Sequence, residues 1–419
     1  MNAEIISIGT ELLLGEIVDT NAAHIARQLR TIGLNLYYKT TVGDNKDRSA
    51  EVIDRALDRA DVVITTGGLG PTIDDMTRDA AAQATGRPLE FRPALLEQIE
   101  ARFKRWGRTM SENNRRQAFV PQDAIAIENP VGTAPCFIVE TGRGVVISLP
   151  GVPREMEYVL EHEVLPYLKR RFDLRSVITA RVLRTAGIGE SQVDAALSDL
   201  LTAANPTVGL AAHAGQTDVR ITAKAESEEQ ADRLIAPIEA EVRQRLGLAV
   251  YGTGKETVEM ALLRHLAQAG LTLTAAESGT GGLLTNRLST APGAETLFVG
   301  GLVANNPPAL GQALEVTLEG ESEQDLEQFA RQLAMRLVTM PGKTGSAGQR
   351  LGLVLITLPR PGTNAATSAG GTIIALGNPD GVKLRQLGFG GHAAHVAVWA
   401  STNAMEMTRR WLLRRSGQE

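Results

Sequence analysis

A short apolar strand that runs straight into a glycine-rich loop constrains the fold of this chain more than any other stretch. Val62–Ile64 leads into Thr65–Asp79, in which three glycines precede carboxylates and hydroxyls at a predicted helix start. Glycine lets successive backbone N–H groups point at an anion, and a helix start adds partial positive charge. This order therefore predicts a phosphate-binding turn at the carboxyl end of a parallel sheet. The alternative is a glycine-rich turn with a solvated helix cap.

Carboxylates follow the predicted strands of the same region. Glu11 comes after the first strand, Asp44 directly after the second, and Asp75 after the third. Loops after successive parallel strands converge at one edge of a sheet, so Asp19, Asp44 and Asp75 are predicted to surround a metal-bound phosphate. Their hard oxygens are ligands that a divalent cation shares with a phosphate. Taken alone, Asp19 is better explained as a helix N-cap.

Strands and helices alternate through a predicted first domain, residues 1–172. The predicted strands are Glu4–Ile8, Leu34–Val42, Asp61–Thr66, Phe137–Glu140 and Gly144–Leu149, and the predicted helical segments are Asp19–Leu29, Lys46–Arg59, Pro93–Gln117 and Arg154–Arg171. This alternation predicts an α/β domain with a mostly parallel sheet and helices on both faces. Because 419 residues are too many for one ordinary core, further domains are expected.

A small α+β domain is predicted over residues 175–252. Its predicted strands are Val177–Thr185, Thr207–Ala212, Thr217–Ala225 and Leu248–Tyr251, and its predicted helices are Glu190–Leu200 and Glu228–Leu246. This segment leaves the strictly alternating pattern of the first domain, so we expect it to form a separate unit.

A third domain, again α/β, is predicted over residues 256–415. It begins with helix Glu256–Ala269 and ends with a basic amphipathic helix, Met405–Arg415, which is predicted to pack on its own domain. Membrane attachment is the alternative for such a helix. Pro341–Gln349 and Pro359–Gly371 are rich in Gly, Pro, Ser and Thr and are predicted to be loops.

The composition excludes several classes of protein. A net charge of −5 argues against a general nucleic-acid-coating role, and the single cysteine, Cys136, excludes an internal disulfide and a cysteine-based zinc cluster. No apolar stretch reaches the roughly 18 residues of a membrane span, and the N-terminus lacks the basic-then-apolar pattern of a signal peptide. We therefore expect a cytoplasmic protein that binds neither nucleic acid nor membrane.

Five ordered motifs resemble the CinA (competence- and damage-inducible) family. They are Ser7–Gly15, Asp19–Asn21, the loop Thr65–Asp79, Asn129–Pro135 and Leu149–Met156. The first domain resembles the molybdopterin-binding fold of molybdenum-cofactor biosynthesis enzymes. In the CinA family, this domain implies a metal-dependent ADP-ribose pyrophosphatase that yields AMP and ribose 5-phosphate. The resemblance also implies a homodimer that acts on a small-molecule nucleotide.

The loops and the resemblance together give a candidate site in the first domain. By motif position, Asp44 and Asp75 match acidic residues that serve catalysis in the related molybdopterin enzymes. The candidate metal ligands are Asp19, Asp44 and Asp75, for Mg²⁺, Mn²⁺ or Co²⁺, with K⁺ as a further candidate. The candidate substrate-binding residues are Gly9, Thr10, Glu11, Asp19, Asn21, Thr66, Gly67, Gly68, Gly70, Thr72, Asp74, Thr77, Gly132, Thr133, Pro150 and Gly151.

The middle domain resembles the small KH-like domain of the same family. Its only GxxG-type stretch, Gly187–Glu190, has the wrong spacing and no basic flank. We therefore expect a linker and assembly domain and no RNA clamp.

The third domain resembles nicotinamide-nucleotide amidases, which deamidate nicotinamide mononucleotide with a serine nucleophile. Glu277–Gly282 keeps that serine, Ser278, as a candidate catalytic residue, and its Thr280, Gly281 and Gly282 are candidate substrate-binding residues.

The rest of the amidase pattern is altered. The tyrosine and lysine that would activate the serine are absent from Val303–Leu310, and a serine without an adjacent base is a poor nucleophile. Within that stretch, Pro307 and Pro308 also disfavour a helical conformation at Asn306. The domain is predicted to be inactive on this substrate, with a substitute base, His392 or His395, as the alternative.

Two classes of function stay open for the first domain. The leading hypothesis is a metal-dependent phosphoanhydride hydrolase. The alternative is a nucleotide- or pterin-binding module without turnover, because no general base is evident in the motifs.

Overall fold

The computed structural model describes residues 1–320, 322–340, 349–359, 368–388 and 390–417. The chain divides into two compact units. Met1–Thr179 with Ala223–Arg233 forms the first unit, and Ala180–Thr222 with Leu234–Glu419 forms the second.

A mixed sheet with helices on both sides forms the first domain. The strands of the domain are β1 (Asn2–Ile8), β2 (Asn35–Val42), β3 (Val62–Thr66), β4 (Leu89–Phe91), β5 (Phe119–Pro121), β6 (Ile125–Ile127), β7 (Cys136–Glu140) and β8 (Val145–Leu149). Of these, β4 and β5 form a separate antiparallel pair outside the main sheet. Its helices are α1 (Thr10–Leu13), α2 (Thr20–Thr31), α3 (Lys46–Leu57), α4 (Thr77–Ala84), α5 (Pro93–Arg105), α6 (Pro153–Val159) and α7 (Leu165–Phe172).

The strand order of the main sheet is β2–β1–β3–β8–β7–β6. The pairs of β1 with β2, β1 with β3 and β3 with β8 are parallel, whereas β7 is antiparallel to β8 and β6. Every residue of β3 and β8 is buried, as expected for central strands covered by helices on both faces. The carboxyl ends of β1, β3 and β8 therefore lie side by side, with their loops at one edge.

The middle segment forms a small sheet of order β10–β11–β9–β12. Its elements are β9 (Val177–Ala186), α8 (Glu190–Leu197), β10 (Thr207–His213), β11 (Gln216–Ala225), α9 (Glu228–Leu246) and β12 (Val250–Thr253). β10 pairs antiparallel with β11, and β12 pairs antiparallel with β9. These strands and helices occur in the predicted order.

The C-terminal segment forms a second mixed sheet. Its helices are α10 (Val258–Ala269), α11 (Leu283–Ser289), α12 (Pro307–Leu314), α13 (Glu323–Thr339) and α14 (Ala393–Arg415). Its strands are β13 (Thr272–Ser278), β14 (Phe298–Ala304), β15 (Arg350–Pro359), β16 (Ser368–Asn378), β17 (Gly381–Leu387) and β18 (Gly391–His392). The order is β14–β13–β15–β16–β17, with β18 beside β16, and only the pairs that include β13 are parallel.

Two predictions for this segment were wrong in part. Ser368–Gly371 is strand and not loop, because backbone pairing of β16 with the strands on both sides outweighs the low β-propensity of glycine and alanine. The last helix begins at Ala393, twelve residues before the predicted Met405, because its first half buries alanines such as Ala397 and Ala400 that form no strong apolar stripe.

Pro341–Gln349, predicted to be a loop, lies outside the described residues except for Gln349, and so do residues 360–367 of the predicted loop Pro359–Gly371, of which Pro359 ends β15. Within the described ranges, no helix is both long and apolar enough to cross a membrane.

Candidate functional site

A cavity of about 340 Å³ opens at the carboxyl ends of β1 and β3. This volume is within the roughly 300–1,000 Å³ typical of small-molecule sites. The predicted site residues that line it are Gly9, Glu11, Asp19, Asn21, Asp44, Thr66, Gly67, Gly68, Asp74, Asp75 and Gly151. The structure thus brings most of the predicted residues of the first domain to one place.

The glycine loop presents a row of backbone N–H groups. Two carbonyls of the loop accept hydrogen bonds from Thr77. The Gly67 oxygen accepts from the Thr77 hydroxyl at 2.7 Å, and the Gly68 oxygen accepts from the Thr77 N–H at 3.1 Å. In a trans peptide, a carbonyl and the following N–H point in opposite directions. The N–H groups of Gly68 and Leu69 therefore point away from Thr77. Within the described chain, no acceptor binds the N–H groups of Gly68, Leu69 or Gly70, and of these three residues Gly68 lines the cavity. Such a row of N–H groups binds anions.

Two carboxylates of the cavity are each held through a single oxygen. Oδ2 of Asp44 accepts from the N–H and the hydroxyl of Thr10, each at 2.8 Å. Oδ2 of Asp75 accepts from the Thr72 N–H at 2.8 Å, and hydrogen bonding from Thr72 also lowers the pKa of Asp74. Among the described residues, Oδ1 of Asp44 and Oδ1 of Asp75 have no partner, so each can bind a ligand.

Asp19 has a different environment. Oδ1 accepts from the Ala22 N–H at 2.9 Å and so caps α2, while Oδ2 accepts from the Ser7 hydroxyl at 2.6 Å. Both oxygens are therefore already hydrogen-bonded. The structure confirms that Asp19 caps α2, and the residue also lines the cavity, so its predicted role as a metal ligand stays a prediction.

Asn21, at the start of α2, bonds to the end of β3 and to the loop after β8 at the back of the cavity. Its amide donates to the Gly151 carbonyl at 2.7 Å and to the Thr66 hydroxyl at 3.1 Å. Thr66 in turn donates to the Pro150 carbonyl at 2.9 Å. These bonds fix the loops after β3 and β8 against the start of α2.

The charge of the cavity favours a cation. Its lining includes five carboxylates (Glu11, Asp19, Asp44, Asp74, Asp75) and, within the described part of the chain, no lysine, arginine or histidine. A diphosphate would be repelled there unless a cation came with it. No group of three or more His, Cys, Asp or Glu side chains among the described residues could hold a metal by itself. Mg²⁺ commonly uses one or two carboxylates, substrate phosphates and water, and this donor set fits that pattern.

Gly132 and Thr133 lie elsewhere. They border a separate void of about 10 Å³, where the Arg102 guanidinium donates to the Gly132 carbonyl at 2.7 Å. A void of this size holds about one water. The adjacent Glu155 accepts from the Asn129 amide at 2.6 Å, and burial raises the pKa of Glu155. The loop that contains Gly132 and Thr133 therefore lies away from the cavity, and its hydrogen bonds stabilise the fold.

Several residues at or behind the cavity were not among the predicted site residues. Ile17 and Val18 line the rim and are 54% and 84% exposed. Behind the glycine loop, Arg78 and Gln117 donate to the Leu69 carbonyl. Gln117 is distant in sequence and no local pattern indicated it, whereas Arg78 lies within the loop motif Thr65–Asp79.

The candidate residues of the third domain form no comparable site. Oγ of Ser278 is fully buried and has no hydrogen-bond partner among the described residues. The Glu277 carboxylate accepts from the Thr280 hydroxyl and from the N–H groups of Leu284 and Thr285, at 2.5–3.0 Å. The start of α11, next to Gly281 and Gly282, is therefore already occupied by an anion of the protein itself.

Comparison with known proteins defines the class of this chain. Residues 4–170 match the family model described as "Probable molybdopterin binding domain", residues 180–252 match "Damage-inducible protein CinA KH domain", and residues 255–412 match "CinA C-terminal domain". The chain belongs to the CinA family, as its motifs predicted.

Two relatives that match over almost the whole chain carry the same identification. A protein of Clostridium botulinum named "Putative competence-damage inducible protein" is 38% identical over 98% of this chain and 99% of its own length. One of the same name from Alkaliphilus oremlandii is 38% identical over 99% of this chain and 100% of its own. The crystal structure of the protein CinA from Thermoplasma acidophilum is 38% identical, with 39% of this chain and 96% of that chain covered and a TM-score of 0.37.

Proposed function

We propose that the first domain hydrolyses the pyrophosphate bond of ADP-ribose to AMP and ribose 5-phosphate with the help of a divalent metal ion. The observation that carries the proposal is that Gly67 and Gly68 of the glycine loop line one cavity with the carboxylates of Asp44 and Asp75, and that the Gly68 N–H has no acceptor among the described residues. The N–H groups suit the oxygens of a diphosphate, and the carboxylates suit its cation.

The glycine loop and two carboxylates of the cavity have roles in this reaction. The amides of Gly68 and Gly70 would bind phosphate oxygens and stabilise charge that develops on them. The free Oδ1 atoms of Asp44 and Asp75 would hold the metal, while Thr10 and Thr72 fix the orientation of the two carboxylates. When bound, the metal supplies positive charge that neutralises the diphosphate and polarises the phosphoanhydride.

The test is AMP formation from ADP-ribose by the purified full chain with Mg²⁺, Mn²⁺ or Co²⁺, followed by chromatography. Asp75→Asn should lower the rate by about 100-fold or more, because charge at a metal ligand is lost. Asp58→Asn is the matched control, since Asp58 forms an exposed ion pair with Arg143 and lies outside the cavity. Absence of AMP above the Asp75→Asn level with every metal would refute the proposal.

A binding module without turnover is the second candidate. It is favoured by the lining itself, in which no histidine or lysine of the described residues could act as a base. Calorimetry with ADP-ribose and metal separates the two candidates, because tight binding without product supports the module.

We further propose that the third domain does not deamidate nicotinamide mononucleotide. The buried, unpartnered hydroxyl of Ser278 supports this, as does the exposure of His392 and His395, neither of which bonds to it. Ammonia release that Ser278→Ala abolishes would contradict the proposal.

We also propose a homodimer, since closed two-fold dimers are the commonest assembly of such enzymes. Light scattering should give twice the 44.7 kDa mass of the chain. A mass near that of one chain at micromolar concentration would refute the dimer.

A further inference from the structure

A buried guanidinium lies directly behind the glycine loop. Arg78, in the first turn of α4, is only 3% exposed. It donates to the carbonyl of Leu69 and, at 3.3 Å, to the carbonyl of Gly70. Burial lowers the pKa of Arg78 to about 10, while Asp75 and Asp79 act in the opposite direction, so the group is charged at neutral pH.

We infer that Arg78 is the positioning residue of the phosphate-binding loop: it fixes the Leu69 and Gly70 carbonyls so that the Gly70 N–H faces a ligand bound at the edge of the cavity, and it supplies positive charge behind an acidic cavity. Gly70 does not itself line the cavity, but it lies against the carboxylate of Asp75, which does. The inference rests on the proposed phosphate site but is independent of hydrolysis.

The first part of this role follows from peptide geometry. The Leu69 carbonyl and the Gly70 N–H belong to one planar trans peptide, so a donor that holds the carbonyl on one side turns the N–H to the other. Gln117 also donates to the Leu69 carbonyl, at 3.3 Å, but it is neutral and leaves the Gly70 carbonyl untouched. Among the described residues, only the Arg78 guanidinium donates to both carbonyls, because its rigid fork carries several donors.

The second part follows from charge. The cavity wall carries carboxylates and, among the described residues, no cationic side chain. A charge that is shielded from water acts on its neighbours through a lower effective dielectric constant than a surface charge does. Arg78 therefore offsets part of the repulsion between the carboxylates and an incoming phosphate without itself touching the ligand.

The experiment is calorimetric titration of the full chain with imidodiphosphate, a non-hydrolysable pyrophosphate analogue, in the presence of Mg²⁺. Arg78→Met should raise Kd by about tenfold or more, since both a charge and two hydrogen bonds are lost. Arg78→Lys should recover part of the affinity, because it restores the charge without the fork. Circular dichroism establishes whether each variant is folded. If Arg78→Met does not fold, the affinity of Arg78→Lys relative to the wild type still tests the inference, because Arg78→Lys keeps the charge and loses the fork.

Arg87→Met is the matched control. Arg87 also donates to backbone carbonyls of the first domain, those of Gln122 (at 2.9 Å) and Glu140, but to no carbonyl of the glycine loop. It should keep the wild-type Kd. Wild-type affinity in folded Arg78→Met, equal losses in both methionine variants, or no binding by the wild type would each overturn the inference. Tight, Arg78-dependent binding in a chain that never forms AMP would support it while refuting the proposed hydrolase.

Discussion

Gly67 occupies a position where no side chain fits. Its φ is +104°, and an added Cβ would overlap the Ile8 carbonyl oxygen of β1. We expect Gly67→Ala to lower the free energy of unfolding by at least about 3 kcal/mol, because positive φ costs about 1–2 kcal/mol and the overlap forces the backbone to move. Urea unfolding of the full chain measures the change.

The matched control for this substitution is Gly86→Ala. Gly86 also has positive φ, +66°, but nothing lies within 4 Å of an added Cβ. Its replacement should cost only about 1–2 kcal/mol. Equal costs at the two glycines would contradict the close approach of the loop to β1.

Glu155 should make stability depend on pH. Burial raises the pKa of Glu155 above its ordinary value of 4.5, with the Asn129 hydrogen bond acting in the opposite direction. The folded state therefore holds this proton more tightly than the unfolded chain does, and the resulting stability is lost as pH rises above 4.5 through the folded pKa. Glu155→Gln removes this loss, so its stability relative to the wild type should increase between pH 4 and pH 8.

Denaturation curves at several pH values test the Glu155 prediction. Glu163→Gln is the control, since Glu163 is an exposed glutamate of the next helical segment. It should follow the pH profile of the wild type. A Glu155→Gln profile parallel to that of the wild type would contradict the prediction.

At the residue scale, the sequence predicted the site residues that directly follow strands. It did not predict residues that reach the site only through tertiary packing. Asp44 and Asp75 were predictable, because loops after parallel strands meet at one edge. Gln117 was not predictable, since no local sequence pattern indicates that its side chain contacts the glycine loop. Gly132 was predicted at the site but instead lies against the Glu155 carboxylate, a contact that depends on the start of α6.

The start of helix α2 supports a prediction at the scale of an element. Asp19 caps this helix through Oδ1, which Asn also provides and Ala does not. We expect Asp19→Ala to lower the free energy of unfolding by about 0.5–2 kcal/mol and Asp19→Asn to change it much less. Denaturant unfolding and ADP-ribose turnover are measured on both variants.

The two Asp19 variants separate the cap from a metal ligand. If Asp19 bound the metal, Asp19→Asn would abolish turnover at nearly unchanged stability. Under the capping role, turnover in Asp19→Asn should remain within several-fold of the wild type.

The local sequence predicted where some helices and strands begin but not where others do. Asn306 has an extended backbone and caps α12 through the Ala309 N–H, as expected for a residue before Pro307. The first residues of β16 could not be predicted from their composition, because the pairing with β15 and β18 that orders them comes from distant parts of the chain. Helix α14 likewise depends on burial of small residues, a property of its neighbours.

At the scale of the molecule, the candidate site depends on a core that is local to the first domain. All residues that line the cavity fall between Ile8 and Pro153, and the buried apolar core around them runs from Ala3 to Leu168. We therefore expect residues 1–172 alone to fold and to hydrolyse ADP-ribose at a rate within about tenfold of the full chain.

Parallel assays of the truncated and full chains test this expectation, with circular dichroism as the control for folding. A folded but inactive fragment would show that the site needs residues beyond the first domain.

The hydrogen bonds behind the glycine loop also bear on how fast a ligand binds. Thr77 and Arg78 hold the loop carbonyls in the free protein, so the conformational entropy of the loop is lost during folding and not during binding. Such a preorganised loop needs no closure step before the phosphate enters. Association should therefore show a single phase whose rate rises linearly with ligand concentration, with no plateau from a slow isomerisation.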